Sequence, residues 1–100
     1  MLMNGKPLQG DEAAERLALD VLLWITGEED RLLPFLAATG LDLDALRASV
    51  REPGFLVGVL DHVMGDENVL LACARALDVK PERIAAAWHR LSPRPDDEWA

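Results

Sequence analysis

Apolar residues recur along this chain at the i, i+3, i+4, i+7 spacing of helices. Turn-forming residues interrupt them at Gly27, Gly40, Pro53-Gly54, Gly65 and Asp78 to Pro81. This punctuation predicts an all-α fold, a compact bundle of about six short helices. The first spans Asp11 to Thr26, with Asp11, Glu12 and Glu15 at its positive N-terminal end and Gly27 to stop it. The second covers Asp30 to Thr39, with Pro34 near its first turn, where it delays or distorts the helix. Asp42 caps a third that ends before Pro53, with Leu41 and Leu46 placed as a hydrophobic staple. Phe55, Leu56, Val59, Leu60 and Val63 give a fourth helix a broad buried stripe. Asp66 caps a fifth, with Leu70, Cys73, Ala74 and Leu77 on one face, and Pro81 opens a sixth carrying Ile84, Ala87, Trp88 and Leu91.

From these stripes the expected core contains Leu22, Ile25, Leu36, Leu46, Val59, Leu60, Val63, Leu70, Cys73, Ala74, Leu77, Ile84 and Trp88. Burial of Trp88 would make Trp88→Ala cost about 3–5 kcal/mol. Residues 11–91 form one helical domain in this reading, between a flexible segment at 1–10 and a flexible acidic segment at 92–100. The bundle can also divide into two similar three-helix units. A shift of 38 positions carries Gly27 onto Gly65, Leu32-Leu33 onto Leu70-Leu71, Val21-Leu22 onto Val59-Leu60, Leu41 onto Val79 and Leu46 onto Ile84. Composition alone can produce such coincidences between two Leu/Ala-rich hairpins, so a true repeat requires residues 18–50 and 56–88 to superpose with the same helix crossings, Leu32-Leu33 taking the environments of Leu70-Leu71.

The first helix breaks the one-stripe pattern. Leu17, Leu19, Val21, Leu22, Leu23, Trp24 and Ile25 leave only the Asp20 direction without a large apolar group. Such a helix is either central to the bundle or covered by a second copy of the chain. The second alternative is favoured: a homodimer with Leu19, Leu23 and Trp24 at its interface.

Composition narrows the function. Half of the residues are hydrophobic and only 5% aromatic, and the formal net charge of −8 opposes nonspecific binding to a phosphate backbone. With a single cysteine, no internal disulfide can form, and Met1 to Pro7 lacks the apolar run of a signal peptide. The stretch Leu17 to Ile25 is too short to cross a membrane. A cytoplasmic protein is expected.

No catalytic or cofactor site is expected. His62, His89 and Cys73 lack metal-ligand spacing, and Asp61 and His62 diverge by about 100° on a helix, as a solvated pair at its edge would. Cys73 reads as core, because Arg75, its one basic neighbour in sequence, lies on another face. Gly54, Gly58 and Gly65 lack the strand and the Lys-Ser/Thr pair of a phosphate loop.

The stretch Glu29 to Leu77 resembles a family of short alphaproteobacterial proteins classed as a domain of unknown function. The segments that carry the resemblance are Phe35-Leu36-Ala37-Ala38-Thr39-Gly40-Leu41-Asp42, Pro53-Gly54-Phe55-Leu56 and Val59-Leu60-Asp61. The chain is more polar around His62 to Gly65 than that family. The resemblance implies a bacterial source and a small helical domain, and carries no catalytic residue.

Two functions remain. The leading one is a non-enzymatic protein-interaction or adaptor module with a protein partner. The alternative is nucleic-acid binding through residues 70–91, where a helix, the turn Asp78 to Pro81 and a second helix resemble a helix-turn-helix unit with a basic face at Lys80, Arg83, Arg90 and Arg94. The alanines at 85, 86 and 87 leave that second helix few base-reading groups.

Overall fold

A computed structural model of the chain describes residues 10–52 and 54–92. The segments expected to be flexible, 1–10 and 92–100, lie almost wholly outside the described residues, as does Arg94. Among the described residues the fold is all-α. Its six helices are α1 (Gly10–Thr26), α2 (Glu29–Thr39), α3 (Leu43–Ser49), α4 (Phe55–Met64), α5 (Glu67–Leu77) and α6 (Pro81–Leu91).

The helix ends follow from local chemistry. The Asp42 carboxylate accepts the Ala45 N–H at 2.8 Å, and Asp66 accepts those of Asn68 and Val69, so α3 and α5 begin where an aspartate replaces the missing carbonyl partners. Helix α2 stops at Gly40 and α5 at Asp78, both left-handed, with φ of 76° and 58°. The Gly40 N–H donates to the Leu36 carbonyl, and the Val79 N–H donates to that of Ala74, which satisfies carbonyls the helices would otherwise leave open. Helix α2 begins at Glu29, so Pro34 falls in its second turn and the helix runs through it. Both Pro34 and Asp30, whose carbonyl loses its i+4 donor, are exposed, so water can take the donor's place.

Helix α1 packs against α2, α4, α5 and α6, with α6 covering it most extensively. Its buried side chains are Ala14, Leu17, Ala18, Val21, Leu22 and Ile25, all within one half of the helix circumference. The opposite half carries Glu12, Glu15, Arg16, Leu19, Asp20 and Leu23, all exposed. The first alternative, an α1 covered on every side by the helices of its own bundle, is thereby corrected. Its run of leucines contains one ordinary buried stripe plus two leucines in the middle of the solvent face.

Around α1 the core is completed by Phe35, Leu46, Val59, Leu60, Val63, Cys73, Ala74, Ile84 and Ala87. Four expected core residues, Leu36, Leu70, Leu77 and Trp88, are instead half-buried at its margin. Phe35 is fully buried and meets Phe55 edge to face at 6.5 Å and His62 at 5.2 Å. The polar stretch from His62 to Gly65 still packs, because Val63 is fully buried and Met64 lies against the core.

The shift of 38 positions holds for much of the structure. It carries the bounds of α2 onto those of α5, the end of α1 onto the end of α4, and the start of α3 onto the start of α6. It also carries left-handed Gly40 onto left-handed Asp78. Leu32 and Leu70 are both half-buried, and Leu33 and Leu71 are both exposed. The correspondence fails in the third helix of each unit. Helix α6 has 11 residues and docks on α1, α4 and α5, whereas α3 has 7 and lies at the periphery.

Core and margin should separate in stability. Phe35→Ala removes a fully buried ring and should cost about 3–5 kcal/mol, whereas Trp88→Ala, at the margin, should cost about 1–3 kcal/mol. Urea unfolding of both variants checks this order.

Candidate functional site

Three groups of side chains could carry function, and each is positioned by the packing of α1. The first is the expected interface. Leu19 is 40% exposed and Leu23 is 68% exposed, one turn apart on the solvent face of α1. Trp24 does not join them. It is half-buried beneath Arg31 of α2, whose guanidinium lies 4.6 Å from the ring centre and whose Nε donates to the Trp24 carbonyl at 2.7 Å. Arg31 also pairs with Glu28 at 3.3 Å, so one side chain ties the end of α1 to the start of α2. Gly27 leaves room for this: a Cβ there would stand 3.3 Å from both the Arg31 guanidinium and the Leu23 carbonyl.

The second group is the basic face of α6. Lys80, Arg83 and Arg90 are all exposed, and the connection from α5 to α6 is the three residues Asp78, Val79 and Lys80. Arg90 is not free, because its Nε donates to Asp11 of α1 at 3.0 Å. Beside this face, α1 and α6 enclose a shallow cleft. Two adjoining hollows of about 210 and 410 Å³ share Ala13, Leu17 and Arg83, with Arg90 at one end and Arg16 and Asp20 at the other. The arginines therefore converge on a floor of alanine and leucine, an arrangement missed from sequence because Arg16 lies on a different helix from Arg83 and Arg90.

The third group comprises the titratable residues of the interior. Cys73 is fully buried, which pushes its thiol up to about 11, with Arg31 pulling the other way. The basic group that acts on it is Arg31 of α2, and Arg75, which the sequence singles out, is exposed on another face. Fewer than about one thiol in a thousand would be ionised at neutral pH, so Cys73 is unsuited to nucleophilic chemistry. Asp61 and His62 are not a solvated pair. Asp61 is exposed and accepts a hydrogen bond from the Trp88 indole, whereas His62 turns inward against Phe35. Burial lowers the His62 pKa from the ordinary 6.5, and Asp66 opposes that effect. Among the described residues no three His, Cys, Asp or Glu side chains converge as a metal site requires, and no helix is long and apolar enough to cross a membrane.

A family model described as "protein of unknown function (DUF3572)" matches residues 11–94. The chain belongs to this family. The matched region runs from the first turn of α1 to just beyond α6, so the DUF3572 unit is the whole six-helix body and includes the cleft and the α1 face. No curated protein and no solved structure matches the chain.

The inward His62 gives this DUF3572 protein a pH dependence with a definite sign. Its folded pKa lies below its unfolded value, so the unfolded chain binds the proton more readily and stability is lost as pH falls below about 6.5. Tm should therefore drop between pH 7.5 and 5.5, and the drop should shrink in His62→Gln. Thermal melts of both proteins at the two pH values test this.

Proposed function

We propose that the chain is a non-enzymatic protein-interaction module that self-associates through the solvent face of α1, as a cytoplasmic protein of alphaproteobacterial origin. The observation that carries this reading is the exposure of Leu19 and Leu23 together. Among the described residues the other large exposed apolar side chains, Leu33, Leu43 and Leu71, each stand alone on their own helix. Isolated surface leucines are ordinary, whereas two stacked on one face give a second helix a ridge to pack against. Trp24 supports this face from behind, since the Arg31 clamp fixes the end of α1. The same ridge suits an isologous dimer, in which each copy presents Leu19 and Leu23 to the other. The interior chemistry also supports a non-enzymatic role: the buried thiol is hard to ionise, and the one desolvated histidine faces a phenylalanine ring.

Light scattering at micromolar concentration should give the mass of two wild-type chains and of one Leu23→Glu chain, with little change in Tm for the variant because Leu23 is exposed. A single-chain mass for the wild type at all concentrations would overturn the dimer.

Nucleic-acid binding through residues 70–91 is the second reading. It is supported by the short connection from α5 to α6 and by the exposure of Lys80 and Arg83. Weighing against it are the net charge of −8 and the pairing of Arg90 with Asp11. On the interaction-module reading, low-salt gel shifts with genomic fragments should show no retardation, and retardation abolished by Arg83→Glu would reverse the preference.

A further inference from the structure

The cleft between α1 and α6 has a lining unlike the rest of this acidic chain. Arg16, Arg83 and Arg90 border it, Asp20 is the one carboxylate that lines it among the described residues, and its floor is Ala13, Leu17 and Ala86. Small side chains make that floor flat and apolar, which suits an aromatic ring, and the arginines suit carboxylates. A segment that combines the two follows directly after α6: Pro93-Arg94-Pro95-Asp96-Asp97-Glu98-Trp99. We propose that this segment is the occupant of the cleft, folding back along α6 so that its carboxylates meet Arg83 and Arg16 and the Trp99 ring covers the alanines.

The reach agrees with the sequence. The backbone leaves α6 at Ser92 in an extended conformation, φ −71° and ψ 145°. Arg83 lies nine residues earlier in the same helix, about 13–14 Å back along its axis. Four extended residues span about the same distance, so Asp96 is the first residue after Ser92 that can draw level with Arg83. Asp97 and Glu98 then reach the part of the cleft beside Arg16, because α1 runs antiparallel to α6: Asp11 meets Arg90 at one end, and Asp20 and Arg83 share the hollow at the other. Each exposed ion pair is weak, but tethering replaces a free ligand by an effective concentration in the millimolar range, at which weak contacts suffice. Occupancy would cover Arg83, the central cation of the basic face. This proposal uses the margin of α1 beside α6, where Leu17 meets the core, and does not depend on the Leu19–Leu23 ridge.

Nuclear magnetic resonance of the full chain tests it. At about 20 mM salt the Trp99 indole should show cross-relaxation peaks to the methyl groups of Ala13 and Ala86, and these should vanish at about 0.5 M salt, where exposed charges are screened. Arg83→Glu should abolish the peaks while leaving the remaining spectrum folded, and adding Asp96→Lys and Asp97→Lys to it should restore them. If Arg83→Glu disturbs the fold, the triple variant Asp96→Asn, Asp97→Asn, Glu98→Gln carries the same expectation of lost peaks. Absence of the peaks in the wild-type chain at low salt would overturn the proposal. So would peaks that survive the triple variant, or peaks found only between labelled and unlabelled molecules, which would place the segment of a second copy in the cleft.

Discussion

The packing of α1 against α6 is the contact on which the other helices depend. Helices of this length are marginal alone in water, and each needs an apolar face covered before it persists. Ala14 on α1 and Ala87 on α6 are both buried, and their small side chains let the two backbones approach while Leu17 and Ile84 fill the core. These residues lie near opposite ends of the sequence. The core therefore closes only when the first and last helices meet, and α4 and α5 are held in the space that pairing defines. Helix α3 lies outside this arrangement, which accounts for its shortness and peripheral position.

Within the frame the turns are fixed by single residues. Asp42 and Asp66 start helices through side-chain oxygens, and Gly40 and Asp78 end them in the left-handed conformation. That an aspartate stands where the first unit has glycine fits the short polar side chains tolerated at such positions. The two units thus share their hairpins and turns and differ in what the third helix has to cover. In the second unit it must seal α1 and α4 together, and it is longer.

The helices were legible because their punctuation is chemical: glycine, proline and capping aspartate act locally, whatever the tertiary fold. Burial was less legible. Leu36, Leu70 and Leu77 fit their stripes but lie at the edge of the faces, and Trp88 turns its indole outward to Asp61. Phe35 forms the aromatic centre of the core but stands beside Pro34, a helix breaker that obscures the periodicity there. In α1 the leucines at 19 and 23 made the buried stripe look wider than it is, since leucine carries no mark that separates a core position from an exposed one. The site was the least legible of all. Arg31 lies seven residues from Trp24 and at another helix's start, and Arg16 shares a cleft with Arg83 only because α1 and α6 run antiparallel. Such convergence is a property of topology, and no local spacing encodes it.

The ion pair between Asp11 and Arg90 marks more than an electrostatic contact. It places the start of α1 and the end of α6 at the same pole, so the path of the backbone through the bundle is nearly a closed ring. In such a ring the position of the opening is a matter of connectivity and not of architecture. The loop around Glu52 and Gly54, diametrically placed in the sequence and exposed, could serve as the opening with the same six helices in the same places. By the same geometry the body can be spliced into a loop of a larger protein through that one pole, with little separation between the two points of attachment.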